Sequence, residues 1–504
     1  ERVLVRSWGM VGFGSEASME FGLGPRRRST GLLDLGDQGG PDLFSALPDD
    51  LLLLVLARLP CAGAAARTGV LSRRWRGLWA RLRRIVLREV PFHSFEPALA
   101  RIPRPPRTVS LLKICLPEPR GCVPLEHLAA ERDRLNSLLL AAARLDPEEF
   151  FLASPFGLGL ELPSFHCTTS IVLDLCSPVL DYGAYPYISP LPAGTEFVAL
   201  ETLSMSRCAF DSDALLSRCP RLRALRLTDV YFQKRDLRVN SPLLQELVVA
   251  AGWTHHVNIV APMLTQLTIS FSTFQKANIS IFAPMVEKVS WHCGFSTSSS
   301  AFGLWQLGKL SLQAADRQGQ PPSLHIHAST SSSSYHRQVA SFTQEIEKQL
   351  IAAFSVLELH LKTKGHVYGA FVSHVLESNQ ICCAIQRLKV DVQRSVMEEE
   401  EEGCPLDCSC EPKDWKSQTV ALTALEEVEI NGFGGKDHDF DLLKVILRSA
   451  PMLKRMTMKL SQEALASNDG CRKIYNIFEA YSSVQCYVYL SSGLMHGRDN
   501  CPST

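Results

Sequence analysis

No apolar run in the sequence approaches the roughly 20 residues that a transmembrane helix needs. Near Glu1 no sustained apolar stretch precedes a cleavage site, so a signal peptide is not expected there. Net charge is also missing: 52 Lys and Arg balance 52 Asp and Glu. Nothing therefore points to nucleic acid or an anionic membrane as partner. Catalytic signatures are absent as well. There is no G-x-S-x-G, H-E-x-x-H, G-x-x-x-x-G-K-[ST] or G-x-G-x-x-G, and Gly434-Gly435-Lys436 lacks the upstream glycine of a phosphate loop, so it reads as a turn. The sixteen cysteines follow no small-domain framework, which predicts a reducing compartment, cytosol or nucleus, with free thiols and no disulfide. In that compartment the Asn278-Ile279-Ser280 sequon is a coincidence.

What the chain does have begins at Leu43. The run to Leu82, LFSALPDDLLLLVLARLPCAGAAARTGVLSRRWRGLWARL, is more apolar than a small domain needs. Pro48 suits a helix's first turn, and Asp49 and Asp50 complement its positive end. Leu51, Leu52, Val55, Leu56 and Leu59 then follow helical spacing until Pro60, with Leu53 and Leu54 adding apolar surface outside the stripe. A short second helix is predicted over Ala64–Arg67. A third is predicted from a Ser72 cap, with Trp75, Leu78, Trp79 and Leu82 on one face. Three such helices bury little of their own surface, and the surplus leucines and tryptophans point to docking.

LPDDLLLLVLARLP followed by ARTGVLSRRWRGLW closely resembles the F-box of plant F-box proteins. In that family the motif runs Leu-Pro-Asp-Glu/Asp-Leu-Leu, Ile/Val-Leu, Arg-Leu-Pro, then Arg-Thr-Ser-x-Leu-Ser-x-Arg-Trp-Arg-x-Leu-Trp. Gly69 departs from it at a usual serine, and Leu54 stands where a polar or basic residue is common. The resemblance implies docking onto a Skp-type adaptor, and through it a cullin–RING ubiquitin ligase. The expected contact residues are Leu47, Pro48, Leu51, Leu52, Val55, Leu59, Val70, Leu71, Trp75 and Leu78.

A length of 504 residues predicts several domains or one long solenoid, and beyond the F-box the chain repeats. Leu200-x-x-Leu203-x-Met205 recurs at Leu222/Leu225/Leu227, Leu244/Leu247/Val249, Leu264/Leu267/Ile269, Val286/Val289/Trp291 and Leu307/Leu310/Leu312, its middle residue stepping by 22, 22, 20, 22 and 21. That period is the leucine-rich-repeat signature, one short strand per unit sharing a stacked core. Looser copies stand at Leu111/Ile114/Leu116, Phe354/Leu357/Leu359, Ile385/Leu388/Val390, Leu425/Val428/Ile430 and Leu453/Met456/Met458. Their spacing stretches to about thirty, which predicts helical returns or loops. Ser296–Ser300 and Ser329–Ser334 read as serine-rich loops, and Glu398–Glu402 as an acidic excursion. From Cys408-Ser409-Cys410 and Trp415-Lys416 through Leu425–Ile430, Phe433-x-Gly435, Phe440–Leu443 and Ala450–Met456, the chain looks like the C-terminal FBD region of plant F-box/leucine-rich-repeat proteins.

The expected fold is thus α/β: an N-terminal three-helix F-box followed by a leucine-rich-repeat solenoid. Residues 1–40 form a mobile arm, 41–88 the F-box, 89–395 the solenoid, 396–418 an acidic, cysteine-containing loop, and 419–504 FBD-like repeats and a cap. Met10 or Met19 is the expected native start, and Arg26–Arg28 reads as part of a solvated tail. The expected function is that of a non-catalytic substrate-recognition subunit of an SCF-type ligase. The alternative is a leucine-rich-repeat scaffold not engaged in ubiquitination. Side chains between the last two apolar positions of each repeat should face outward and align into a substrate-binding column: Ser204, Arg226, Val248, Thr268, Ser290 and Ser311, continued by Glu358, Lys389, Glu429 and Thr457. Arg226, among Arg218, Arg221, Arg223, Lys234, Arg235 and Arg238, is either an anchor for an acidic group or simply solvated. No cofactor and no metal is expected. Cys404, Cys408 and Cys410, with Cys382 and Cys383, do not have zinc spacing, and His325-Ile326-His327 and His255-His256 lack a third ligand.

Overall fold

The computed structural model describes residues 47–88, 90–102, 109–118, 125–155, 158–175, 186–274, 277–296, 300–314, 321–330, 340–364, 366–394, 415–461, 468–490 and 493–497. The predicted arm and the Cys404/Cys408/Cys410 loop lie outside them. Residues 1–48 and residues 49–504 are separate units, and every described helix and strand lies in the second.

The first helix, Asp49–Leu56, turns Leu52 and Leu56 inward. Leu59 already belongs to the turn after it. A second helix, Ala62–Arg67, is capped by the Cys61 thiol, which accepts the Ala64 N–H at 3.4 Å. The predicted third α-helix is replaced by 3-10 turns at Thr68–Val70, Arg73–Trp75 and Leu78–Arg81. Ser72 makes no side-chain cap, and Gly77 at φ 82° breaks the helical path between Trp75 and Leu78.

The strand Arg84–Leu87 comes next and pairs in parallel with Leu111–Cys115, opening the repeat ladder. The ladder continues in parallel through Glu149–Ser154, Ser170–Leu175, Thr202–Ser206, Ala224–Phe232, Glu246–Trp253, Gln266–Thr273 and Lys288–Phe295. The residues Leu203, Leu225, Leu247, Leu267 and Val289 stand side by side in that register and are all buried. Burying one such side chain contributes about 1.5–3 kcal/mol. The early copy is displaced by two from the expected register: Val109, Leu112 and Ile114 are the inward residues.

The sixth copy is a departure. Trp305–Ala314 runs antiparallel to Lys288–Phe295, and Ser323–Thr330 antiparallel to it in turn, restoring the original direction. Nine residues, 296–304, separate Phe295 from Trp305. That is too short for a parallel crossover, which needs a dozen or more residues, so the chain forms a hairpin. The parallel ladder resumes with Val356–Thr363, Arg387–Arg394, Glu427–Phe433, Arg455–Leu460 and Gln485–Leu490.

Returns differ along the ladder. Asp236–Asn240, His256–Val260 and Asn278–Phe282 make a small parallel sheet behind the tightly spaced units. Helices Gly369–Leu376, Asp437–Ser449 and Asn468–Ala480 take that place where spacing widens. No described helix is long and apolar enough to cross a membrane.

Candidate functional site

Two surfaces stand out, one on the F-box and one on the exposed face of the ladder. On the F-box, Asp49 bridges Arg74 and Arg81, each at 2.9 Å. Hydrogen bonds from Arg74 and then Arg81 hold its carboxyl below the usual range. This ties the first helix to the arginine-rich turns. The expected docking residues then divide. Leu52, Trp75 and Leu78 are buried in the F-box core at 0%, 8% and 4% exposure, so they hold the domain together and are not part of its outer face. Leu51, Val55, Val70 and Leu71 are 45%, 43%, 86% and 68% exposed. Leu59 and Leu47 are half-buried, and Pro48 is exposed. Leu54, 63% exposed, was not among the expected docking residues, yet it stands at i+3 from Leu51 on the same helix face. Its signal was in the sequence, as a leucine outside the core stripe.

On the ladder, Ser204, Arg226, Val248, Thr268 and Ser290 occupy one register column, as expected. Ser311 does not. Because its strand is antiparallel, Gln313 stands opposite Ser290, while Ser311 pairs with His292 and His325 and is buried. Glu358, Lys389, Glu429 and Thr457 extend the Ser311 column, two residues away from the first. Arg226 is not a vacant anchor: its Nε and Nη2 donate to the Glu246 carboxylate at 3.0 and 2.7 Å.

The two halves of this face differ in chemistry. From Val356 onward cross-strand ion pairs lace it together: Arg387–Glu427 at 2.9 Å, Lys459–Glu429 at 2.8 Å and Lys454–Glu426 at 2.8 Å. From Ser204 to Ser290 most outward residues are small and uncharged, including Ser206, Thr228, Ala250 and Ser270 in the adjoining column. Between the halves sits a histidine cluster of His292, His325, His327 and His360. Burial pushes His327 down to about 4 and lowers His325 and His292.

A helical F-box joined to a ladder of leucine-rich repeats defines an F-box/leucine-rich-repeat chain, and comparison with known families agrees. The F-box domain matches residues 44–87, the LRR repeats of FBD-associated F-box protein At5g56370 match residues 137–286, and FBD matches residues 421–458. The chain therefore carries an F-box, leucine-rich repeats and an FBD region, in the order the sequence predicted. Among curated relatives, all from Arabidopsis thaliana, it is 25% identical to "Putative FBD-associated F-box protein At5g56560" over 49% of this chain and 59% of that protein. It is 28% identical to "Putative F-box protein At1g21990" over 45% of each chain. It is also 28% identical to "F-box/LRR-repeat protein At3g03360" over 37% of this chain and 38% of the other. The matches thus span roughly two-fifths to three-fifths of these relatives' lengths.

Proposed function

We propose that this chain is a non-catalytic substrate-recognition subunit of an SCF-type cullin–RING ubiquitin ligase, working in the cytosol or nucleus. The observation that carries the reading is the outer face of the F-box. Leu51, Leu54 and Val55, with Val70 and Leu71 on the subsequent turns, present large apolar side chains while the domain's inward face is already packed. An apolar patch of this kind on a domain that resembles an F-box fits a Skp-type adaptor. The exposed ladder face would hold the target protein, and its uncharged half around Ser204, Thr268 and Ser290 is the better candidate. There most outward side chains are small, and the Arg226–Glu246 pair is the charged contact a target would meet in the column. Ubiquitin transfer to the bound target would then gain from proximity, because effective concentration replaces diffusional encounter.

Co-purification of a Skp-type adaptor with the full chain tests this reading. Val70→Asp/Leu71→Asp should abolish it, since burying an unpaired carboxylate in an apolar interface costs several kcal/mol, more than ~30-fold in affinity. Adaptor recovery at the wild-type level from a folded double variant would leave a repeat scaffold outside ubiquitination as the better account.

A further inference from the structure

His325 and His327 project from the outward side of Ser323–Thr330, and the parallel neighbour Val356–Thr363 sets Glu358 beside His325 and His360 beside His327. Within its own strand this histidine pair has no third ligand; the adjacent strand supplies two. The Glu358 Oε2 atom lies 3.5 Å from His325 Nδ1 and 3.6 Å from His360 Nε2. The ligand atoms of His325, Glu358 and His360 all lie within 4.8 Å of one another. We propose that these three side chains form a binding site for a divalent transition metal of the zinc type, with His325 Nδ1, His360 Nε2 and a Glu358 carboxylate oxygen as ligands.

The geometry is close to what an ion requires. Tetrahedral bonds of 2.0–2.2 Å put ligand atoms about 3.4 Å apart, and both nitrogen–oxygen separations are near that value. The two imidazole nitrogens, within 4.8 Å of each other, reach that spacing by side-chain rotation of half-buried rings. Each ring also has its second nitrogen engaged by an outer oxygen. His325 Nε2 meets Ser323 Oγ at 3.0 Å, and His360 Nδ1 faces Asp391 Oδ2 at 3.7 Å. Such outer partners fix the tautomer and the orientation of metal-ligating histidines. A donor set of two imidazoles and one carboxylate favours zinc, copper or nickel over calcium or magnesium.

Without an ion, the Lys389 ammonium, 3.4 Å from Glu358 Oε2, neutralises that carboxylate. Metal and lysine therefore compete for one oxygen, and this sets a test that a merely structural ion pair would not pass. Metal-free full chain carrying Cys404→Ser, Cys408→Ser and Cys410→Ser is titrated with Zn²⁺ alone by calorimetry, with folding followed by circular dichroism. One equivalent should bind. His325→Ala and His360→Ala should each weaken binding at least tenfold, Asp391→Asn about tenfold, and Lys389→Met should tighten it severalfold. Absence of stoichiometric binding would overturn the site, as would an affinity unmoved by both histidine substitutions. If either histidine variant misfolds, Lys389→Met, which keeps every ligand, decides: unchanged or weaker binding counts against the site.

Discussion

Asp439 is fully buried at the start of the helix Asp437–Ser449. Its Oδ2 accepts the N–H groups of Gly434 and Lys436 at 2.9 and 3.1 Å and faces Arg394 Nη2 at 3.4 Å, while Oδ1 meets His438 Nε2 at 3.1 Å. Burial alone would raise its pKa, but the His438 imidazole beside Oδ1, with Arg394, outweighs that and holds the carboxyl below its ordinary 3.8. A carboxyl whose pKa is lower folded than unfolded stabilises the fold above its unfolded pKa and loses that contribution as pH falls through the folded value. Asp439→Asn should therefore cost about 3 kcal/mol at neutral pH, since it removes the buried charge on which Arg394 and the Gly434 and Lys436 N–H groups converge. The gap between wild type and variant should narrow below about pH 4. Denaturant unfolding at pH 7 and pH 3.5 checks this; a gap unchanged by pH would refute the assigned role. Gly432, at φ +79°, is fixed by a second constraint, because a Cβ there would stand 2.2 Å from the Val392 carbonyl oxygen on the next strand. Gly432→Ala should cost about 2 kcal/mol or more in the same assay. Motif resemblance marked this stretch as special, through Phe433-x-Gly435. The reason for it, a carboxylate collecting partners from Arg394 and His438, requires the register of neighbouring strands and was not legible.

At the level of elements, the apolar positions of the repeats were legible because a shared core demands the same side-chain period in every unit. Strand direction was not. Leu307, Leu310 and Leu312 satisfy the motif equally well on an antiparallel strand, since alternate residues point inward whichever way the chain runs. Several ladder strands escaped the motif because its first position is not apolar there, among them two neighbours. Thr168 precedes Ile171 and Leu173, and its hydroxyl donates to the Pro147 carbonyl. Pro147 in turn precedes Phe150 and Leu152. The strand Lys288–Phe295 and the return before it are tied to residues 345–349. Trp291 Nε1 donates to Gln349 Oε1 at 2.7 Å, and the buried Glu345 carboxylate accepts the Ala277 N–H at 3.1 Å. Trp291→Phe keeps most of the apolar volume but leaves the Gln349 oxygen unpaired in the core. It should destabilise by about 1–3 kcal/mol. Unfolding free energies within 0.5 kcal/mol of each other would show the bond to be dispensable, because surface changes away from such contacts fall in that range.

Taken as a whole, the unit from Asp49 onward joins its F-box to the repeats without a linker. Arg84–Leu87 comes directly after the last F-box turn, Leu82 and Arg83, and is itself the first ladder strand. Deleting residues 41–88 would thus remove a strand and bare the edge of Leu111–Cys115, so point variants are the sound way to separate docking from target binding. The sequence showed both parts by motif, but not that they share a sheet, because Leu82-x-x-Ile85-x-Leu87, which fits the repeat pattern, overlaps the end of the F-box motif. The central claim is that the apolar face of the F-box is an adaptor-docking surface. Calorimetric titration of the full chain with a purified Skp-type adaptor measures it most directly. We expect a 1:1 complex whose affinity falls at least 30-fold in Leu51→Ala/Leu54→Ala/Val55→Ala, corresponding to about 2 kcal/mol or more from truncating buried interface anchors. No complex with the wild-type chain, or equal affinity for the folded triple variant, would contradict it.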